Sequence, residues 1–142
     1  MRRISLTLAV LLALTVMALP RGALASTDDV RGNAWRGVTE QGGNLSMHIF
    51  RTEPGGPRVI QIWEYVITYY CEHGVAHTVT IGFGGWSFPI VDGYGAFRMG
   101  AISWKGHFSH DHARGIVEYS NGHSNCYSGV VTWTAEHMHP RG

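Results

Sequence analysis

Residues 59–72, VIQIWEYVITYYCE, decide the fold. In an extended chain Trp63, Tyr65, Ile67, Tyr69 and Cys71 fall on one face, and Ile60, Ile62, Glu64, Val66, Thr68 and Tyr70 on the other. β-Branched and aromatic residues dominate the run, which suits a pleated strand and disfavours a helix. If Cys71 pairs inside the protein, the face that carries Trp63 and Tyr69 is the one that meets the core.

The same period of two recurs on both sides of this run. Over 44–51, Leu45, Met47 and Ile49 alternate with Ser46 and His48. Glu53-Pro54-Gly55-Gly56-Pro57 is a turn by composition and leads into the long strand. Residues 77–83 alternate through Val79, Ile81 and Phe83, and Gly82, Gly84 and Gly85 then loosen the chain. Asp92-Gly93-Tyr94-Gly95 marks a turn. In 101–107, Ile102 and Trp104 oppose Ser103, Lys105 and His107, with Gly106 allowing close backbone approach or a bulge. Residues 113–119 form the next strand, after a hairpin loop at Ser109-His110-Asp111-His112. Ser120-Asn121-Gly122 turns the chain into a last strand over 129–135, with Val131 and Trp133 inward. Short strands separated by glycine turns, nineteen glycines in all, predict an antiparallel β-sandwich or a small flattened barrel rather than a helical bundle.

The first twenty-five residues have a different character. Arg2 and Arg3 precede an uncharged apolar run over 4–19; Pro20 and Gly22 break it, and Ala23-Leu24-Ala25 supplies small residues before a cut. This is the layout of a secretory signal peptide, too short for a membrane span of about twenty residues. The expected organisation is a signal peptide at 1–25, a flexible segment at 26–33, a β-domain at 34–136 and a flexible tail at 137–142 that exposes His137 and His139. Arg2, Arg3 and Arg21 leave with the signal, so eight basic residues then face ten acidic ones and the net charge becomes −2 with histidine neutral. No basic cluster remains, which argues against nucleic acid or an anionic membrane as partner. An unidentified extracytoplasmic protein or glycan is the expected partner class. All nine histidines lie beyond the signal, and they are the groups that change charge between about pH 5 and 8. Cys71 and Cys126 are the only cysteines, and an exported chain with one pair reads as one disulfide. The alternative, a reactive thiol, needs a free cysteine and a reducing setting.

Several landmarks resemble a family of small exported bacterial β-domains that is largely uncharacterised. They are Trp35-Arg36-Gly37-Val38-Thr39-Glu40-Gln41-Gly42, the strand with Leu45, Met47 and Ile49, the strand ending at Cys71, Asp92-Gly93, Gly106-His107-Phe108, Ala113-x-Gly115, and the closing run from Cys126 and Ser128-Gly129 through Thr132-Trp133-Thr134-Ala135. The resemblance spans about residues 35–135 and implies a compact β-domain bridged between Cys71 and Cys126. It transfers no catalytic residue. The departure from the family lies in His107, His110 and His112, which decorate a hairpin that needs only turn formers.

Those histidines are the sharpest chemical candidates. His107, His110 and His112, with Asp111 as an oxygen donor, suit Zn²⁺, Cu²⁺ or Ni²⁺ by ligand type, although no HExxH or zinc-finger cysteine spacing accompanies them. Otherwise no cofactor is expected. Ser109, His110 and Asp111 resemble a catalytic triad by letter only, since successive strand residues point to opposite faces. Glu64, Asp92, Glu118 and Glu136 show no spacing that pairs them as glycosidase acids. The expectation is therefore a non-enzymatic extracytoplasmic binding or structural module. Divalent-metal binding through the hairpin and glycan binding through exposed Trp86 and Tyr94 are the alternatives.

Overall fold

The computed structural model describes residues 31–139. The signal-peptide reading and most of the expected N-terminal segment therefore lie outside the described residues. Nine strands follow in order: β1 (Asn33–Thr39), β2 (Asn44–Arg51), β3 (Arg58–Tyr70), β4 (Ala76–Ile81), β5 (Phe88–Val91), β6 (Tyr94–Met99), β7 (Ile102–Phe108), β8 (His112–Asn121) and β9 (Cys126–His137). All pairings are antiparallel. Eight strands close into a barrel in the order β2-β1-β9-β8-β7-β6-β5-β3, with β3 returning to β2, and β4 adds to β3 as an outside strand. The protein is thus all-β, and of the two expected shapes it takes the barrel. Closure removes the exposed edges that an open sheet of these strands would carry.

Turn chemistry sets the meander. Asp92 (φ 51°) and Gly93 (φ 71°) are consecutive left-handed residues between β5 and β6. Such a two-residue turn matches the twist of the flanking strands, and Asp-Gly is the dipeptide that adopts it at least cost. The barrel therefore has one end with the β5–β6 and β7–β8 turns and the start of β1. The opposite end carries the β6–β7 and β8–β9 turns.

An eight-stranded barrel is just wide enough for side chains to fill. Here Trp35, Trp104, Trp133, Tyr65, Phe108, Ile49, Ile60, Ile62, Ile67 and Ile90 fill it. Trp104 and Trp133 stack with ring centroids 4.7 Å apart and 15° between planes. The indole fits because the wall beside it is glycine. Gly95, Gly106 and Gly115 sit opposite one another across β6, β7 and β8, and Gly115 is opposite Trp133 on β9. A Cβ on Gly106 would lie 2.3 Å from the Trp133 ring, and one on Gly115 would lie 2.5 Å from it. Burial also raises the pKa of the Tyr65 phenol by desolvation, which keeps it neutral.

One face assignment is corrected. Ile60 and Ile62 point inward with Tyr65 and Ile67, whereas Trp63 is 60% exposed. Met47 pairs with Ile62 and Ser46 with Glu64, so Trp63 is the extra residue of a β-bulge. The bulge reverses which parity faces the core, and it bends the long β3 around the barrel. The expected inward face of β3 therefore holds only beyond the bulge. Trp63→Ala is expected to change stability by less than about 1 kcal/mol, as at an exposed site. Trp133→Ala should cost about 3–5 kcal/mol. Urea unfolding of both variants checks the inversion, because a buried Trp63 would make the two losses similar.

The second difference is at the C-terminal end. His137, expected in an exposed tail, is the last residue of β9 and only 9% exposed. Its Nε2 lies 2.8 Å from the Gly32 carbonyl oxygen, and its ring meets the Trp35 edge at 5.8 Å. Trp35 in turn donates from Nε1 to the Arg31 carbonyl at 3.0 Å. One ring contact and one hydrogen bond, both from His137, thus bind the start of β1 to the end of β9.

Candidate functional site

An open groove of about 830 Å³ lies on the outer wall, at the end of the barrel that carries the β7–β8 turn. Strand alternation builds it. Trp35, Phe108, Ala113, Ala135 and His137 are buried, so their neighbours Arg36, His107, His112, Arg114, Thr134 and Glu136 face out. Register then aligns them in two adjoining rows. Arg36 is opposite Glu136, which is opposite His112. Val38 is opposite Thr134, which is opposite Arg114, then His107, then Tyr94. Between these rows runs a line of small residues, Gly37 opposite Ala135 opposite Ala113. A Cβ on Gly37 would lie 2.0 Å from the Thr134 carbonyl oxygen, so only glycine allows β1 to approach β9 this closely.

The hairpin histidines do not converge. His110 accepts from Arg31 Nε at Nε2, 2.9 Å away, while its carbonyl accepts the Arg31 amide at 3.1 Å. His112 lies between carboxylates, with Nε2 3.2 Å from Asp111 and Nδ1 3.6 Å from Glu136. His107 packs its ring against Tyr94 with centroids 4.9 Å apart. Among the described residues there is no group of three or more His, Cys, Asp or Glu placed to hold a metal ion.

The triad letters do not converge either. The Ser109 hydroxyl donates to the His112 carbonyl at 3.0 Å, while His110 is engaged by Arg31. Of the four acids considered, Glu136 lines the groove and Glu64 lines a smaller hollow of about 250 Å³ beside it. Asp92 occupies the β5–β6 turn, and Glu118 lies on β8 opposite Ser103 and Val130. No two of them share either hollow. Cys71 and Cys126 are bonded, S–S 1.99 Å, and no free cysteine occurs among the described residues.

The aromatic candidates separate as well. Tyr94 opens β6 at the turn and borders the groove row, whereas Trp86 precedes β5 at the other end of that hairpin. Both are exposed, at 37% and 66%, with no ring contact between them. The structure instead builds an outside aromatic cluster around Trp63, which alternation assigned to the core. Trp63 lies 5.7 Å from His48, which stacks on Phe50 at 5.3 Å. Gln61 Oε1 accepts from Trp63 Nε1 at 3.1 Å and fixes the indole.

Arg36 and Arg114 are the site residues that sequence reasoning missed. Each is a lone arginine in a strand, and strand alternation alone places it outward. What brings the two beside one groove is the register of three strands drawn from opposite ends of the chain. The class defined so far is a closed antiparallel barrel with a filled interior and an outer-wall groove. The chain matches no family model, no curated protein and no solved structure. Among the described residues no helix is long and apolar enough to cross a membrane.

Proposed function

We propose that this protein is a non-enzymatic binding module of an oxidising, extracytoplasmic compartment, secreted or periplasmic, and that it engages its ligand on the outer wall at the groove of β1, β9, β8 and β7. One observation carries the reading. The barrel interior is occupied by the Trp104–Trp133 stack and its neighbours, while the outer wall carries a groove with polar and charged side chains directed at solvent. Barrels of eight strands bind small ligands inside when the interior is open. With the interior filled, recognition is left to the outside. A Cys71–Cys126 bridge and the N-terminal leader pattern support the compartment.

The test is amide chemical-shift mapping of the isotope-labelled protein. It is titrated with a panel of soluble neutral and acidic oligosaccharides and acidic and basic peptides, and separately with a fatty acid as an interior probe. Shifts clustered on Arg36, Val38, His107, Arg114 and Thr134 are expected for at least one panel member. Saturable fatty-acid binding that moves the Trp104 and Trp133 indole signals would overturn the reading in favour of an interior carrier. A panel that leaves the groove untouched would also overturn it.

A further inference from the structure

Resting on that outer-wall reading, we infer that the groove recognises a carboxylate-bearing polysaccharide, a chain of uronate type, through Arg36 and Arg114. Arg36 stands directly opposite Glu136 in the β1–β9 ladder, yet the Glu136 carboxylate is drawn to His112 at 3.6 Å. Among the described residues neither the Arg36 nor the Arg114 side chain has a hydrogen bond or an ion pair. Glu136 is the one carboxylate that lines the groove. Two guanidinium groups thus share the lining with a single acid, whose contact is to an imidazole. Glu64 stands beside Arg36 in the adjoining hollow and Asp111 beside His112, so the capacity of the groove for an anion rests on the two arginine side chains of its lining and not on a positive surrounding field.

Spacing narrows the ligand. Arg36 and Arg114 stand on β1 and β8 with β9 between them, offset by two residues along the strands. Two strand spacings and a two-residue step separate their Cα atoms by about 12 Å. A polymer with acids at intervals meets both guanidinium groups, each of which can hold a carboxylate in a bidentate fork. The rest of the lining fits sugar. His107 of the lining and Tyr94 just beyond it present a tilted ring pair at the end of the Arg114 row, which suits the apolar face of a pyranose. Thr134, between Val38 and Arg114, adds a hydroxyl able to donate to or accept from a sugar hydroxyl.

The experiment measures affinity of the purified protein for polygalacturonate by calorimetry, with dextran, dextran sulfate and poly-glutamate in parallel. Polygalacturonate is expected to bind, and dextran is not. Arg36→Ala/Arg114→Ala should weaken that binding at least tenfold. Arg36→Lys/Arg114→Lys, which keeps the charge and loses the fork, should fall between. Arg98→Ala, on the outer wall away from the groove, should bind as the parent does. Thermal unfolding establishes that each variant is folded, and the Lys pair serves as the readout if the Ala pair is not. Equal affinity for poly-glutamate or dextran sulfate would reduce the attraction to bare charge and overturn the uronate assignment. Polygalacturonate binding indifferent to the arginine substitutions would overturn it too. Absence of binding to any of the three polyanions, with groove shifts still induced by another panel member, would refute this inference while leaving the outer-wall reading intact.

Discussion

Gly115→Ala is expected to destabilise the barrel by about 3 kcal/mol or more, the upper range for forcing a methyl group into a packed core. The methyl would be placed 2.0 Å from the Lys105 carbonyl oxygen, 2.5 Å from the Trp133 ring and 2.7 Å from the Gly106 Cα. Two of those three neighbours are backbone of β7, which is hydrogen-bonded on both sides and cannot retreat without breaking its ladder with β6 or β8. The third is an indole locked by its stack on Trp104 and by Phe108, 6.2 Å away. Neither the wall nor the ring can yield cheaply. Gly84→Ala is the control, because a Cβ there meets nothing within 4 Å, and a change within about 0.5 kcal/mol is expected. Urea unfolding of both variants checks the contrast. A Gly115→Ala protein as stable as the parent would mean that Trp133 does not lie against the glycine row.

That row shows what the sequence could and could not disclose. Strand positions were legible because alternation, β-branched residues and Asp92-Gly93 are local signals. The inward orientation of Leu45, Met47, Ile49, Trp104, Val131 and Trp133 followed from the same alternation, and all six are buried. Gly106 was readable as a close approach or a bulge; the structure shows the close approach, to Trp133, which reaches it across β8. Trp63 failed for a physical reason. A bulge inserts one residue and inverts parity, and nothing in the local composition of β3 announces it. His137 failed because a strand end with polar neighbours looks like a tail until Trp35 and Gly32 are found against it. The groove was the least legible feature. Arg36 and Arg114 meet one hollow only because the barrel closes β1 onto β9, a pairing between residues about a hundred positions apart.

Reduction of the disulfide, or Cys71→Ala/Cys126→Ala, is expected to cost about 4 kcal/mol in the chain-entropy account of a loop this long. The bridge joins residues 55 positions apart and spans the place where β3 meets β9. That seam is weak by construction. β1 ends at Thr39, so the first half of β9 lacks β1 as a neighbour, and a single residue pair, Tyr70 with Tyr127, links it to β3. Cys71 and Cys126 follow and precede those tyrosines directly, so the covalent link substitutes for the ladder that is absent there. A domain of this size has a total stability of about 5–15 kcal/mol, of which the bridge is a large share. The melting temperature should fall by roughly 15–25 °C on reduction. In calorimetry of oxidised and reduced protein, equal melting temperatures would show that the seam holds without the bridge. The groove lies at the opposite end of the barrel, so at temperatures where the reduced protein stays folded its outer-wall signals should remain in place. Reduction then acts on the folded fraction rather than on the site. A loss of that size narrows the stability margin without abolishing the fold, so in a reducing setting the fraction that presents the groove would fall at lower temperature than in an oxidising one.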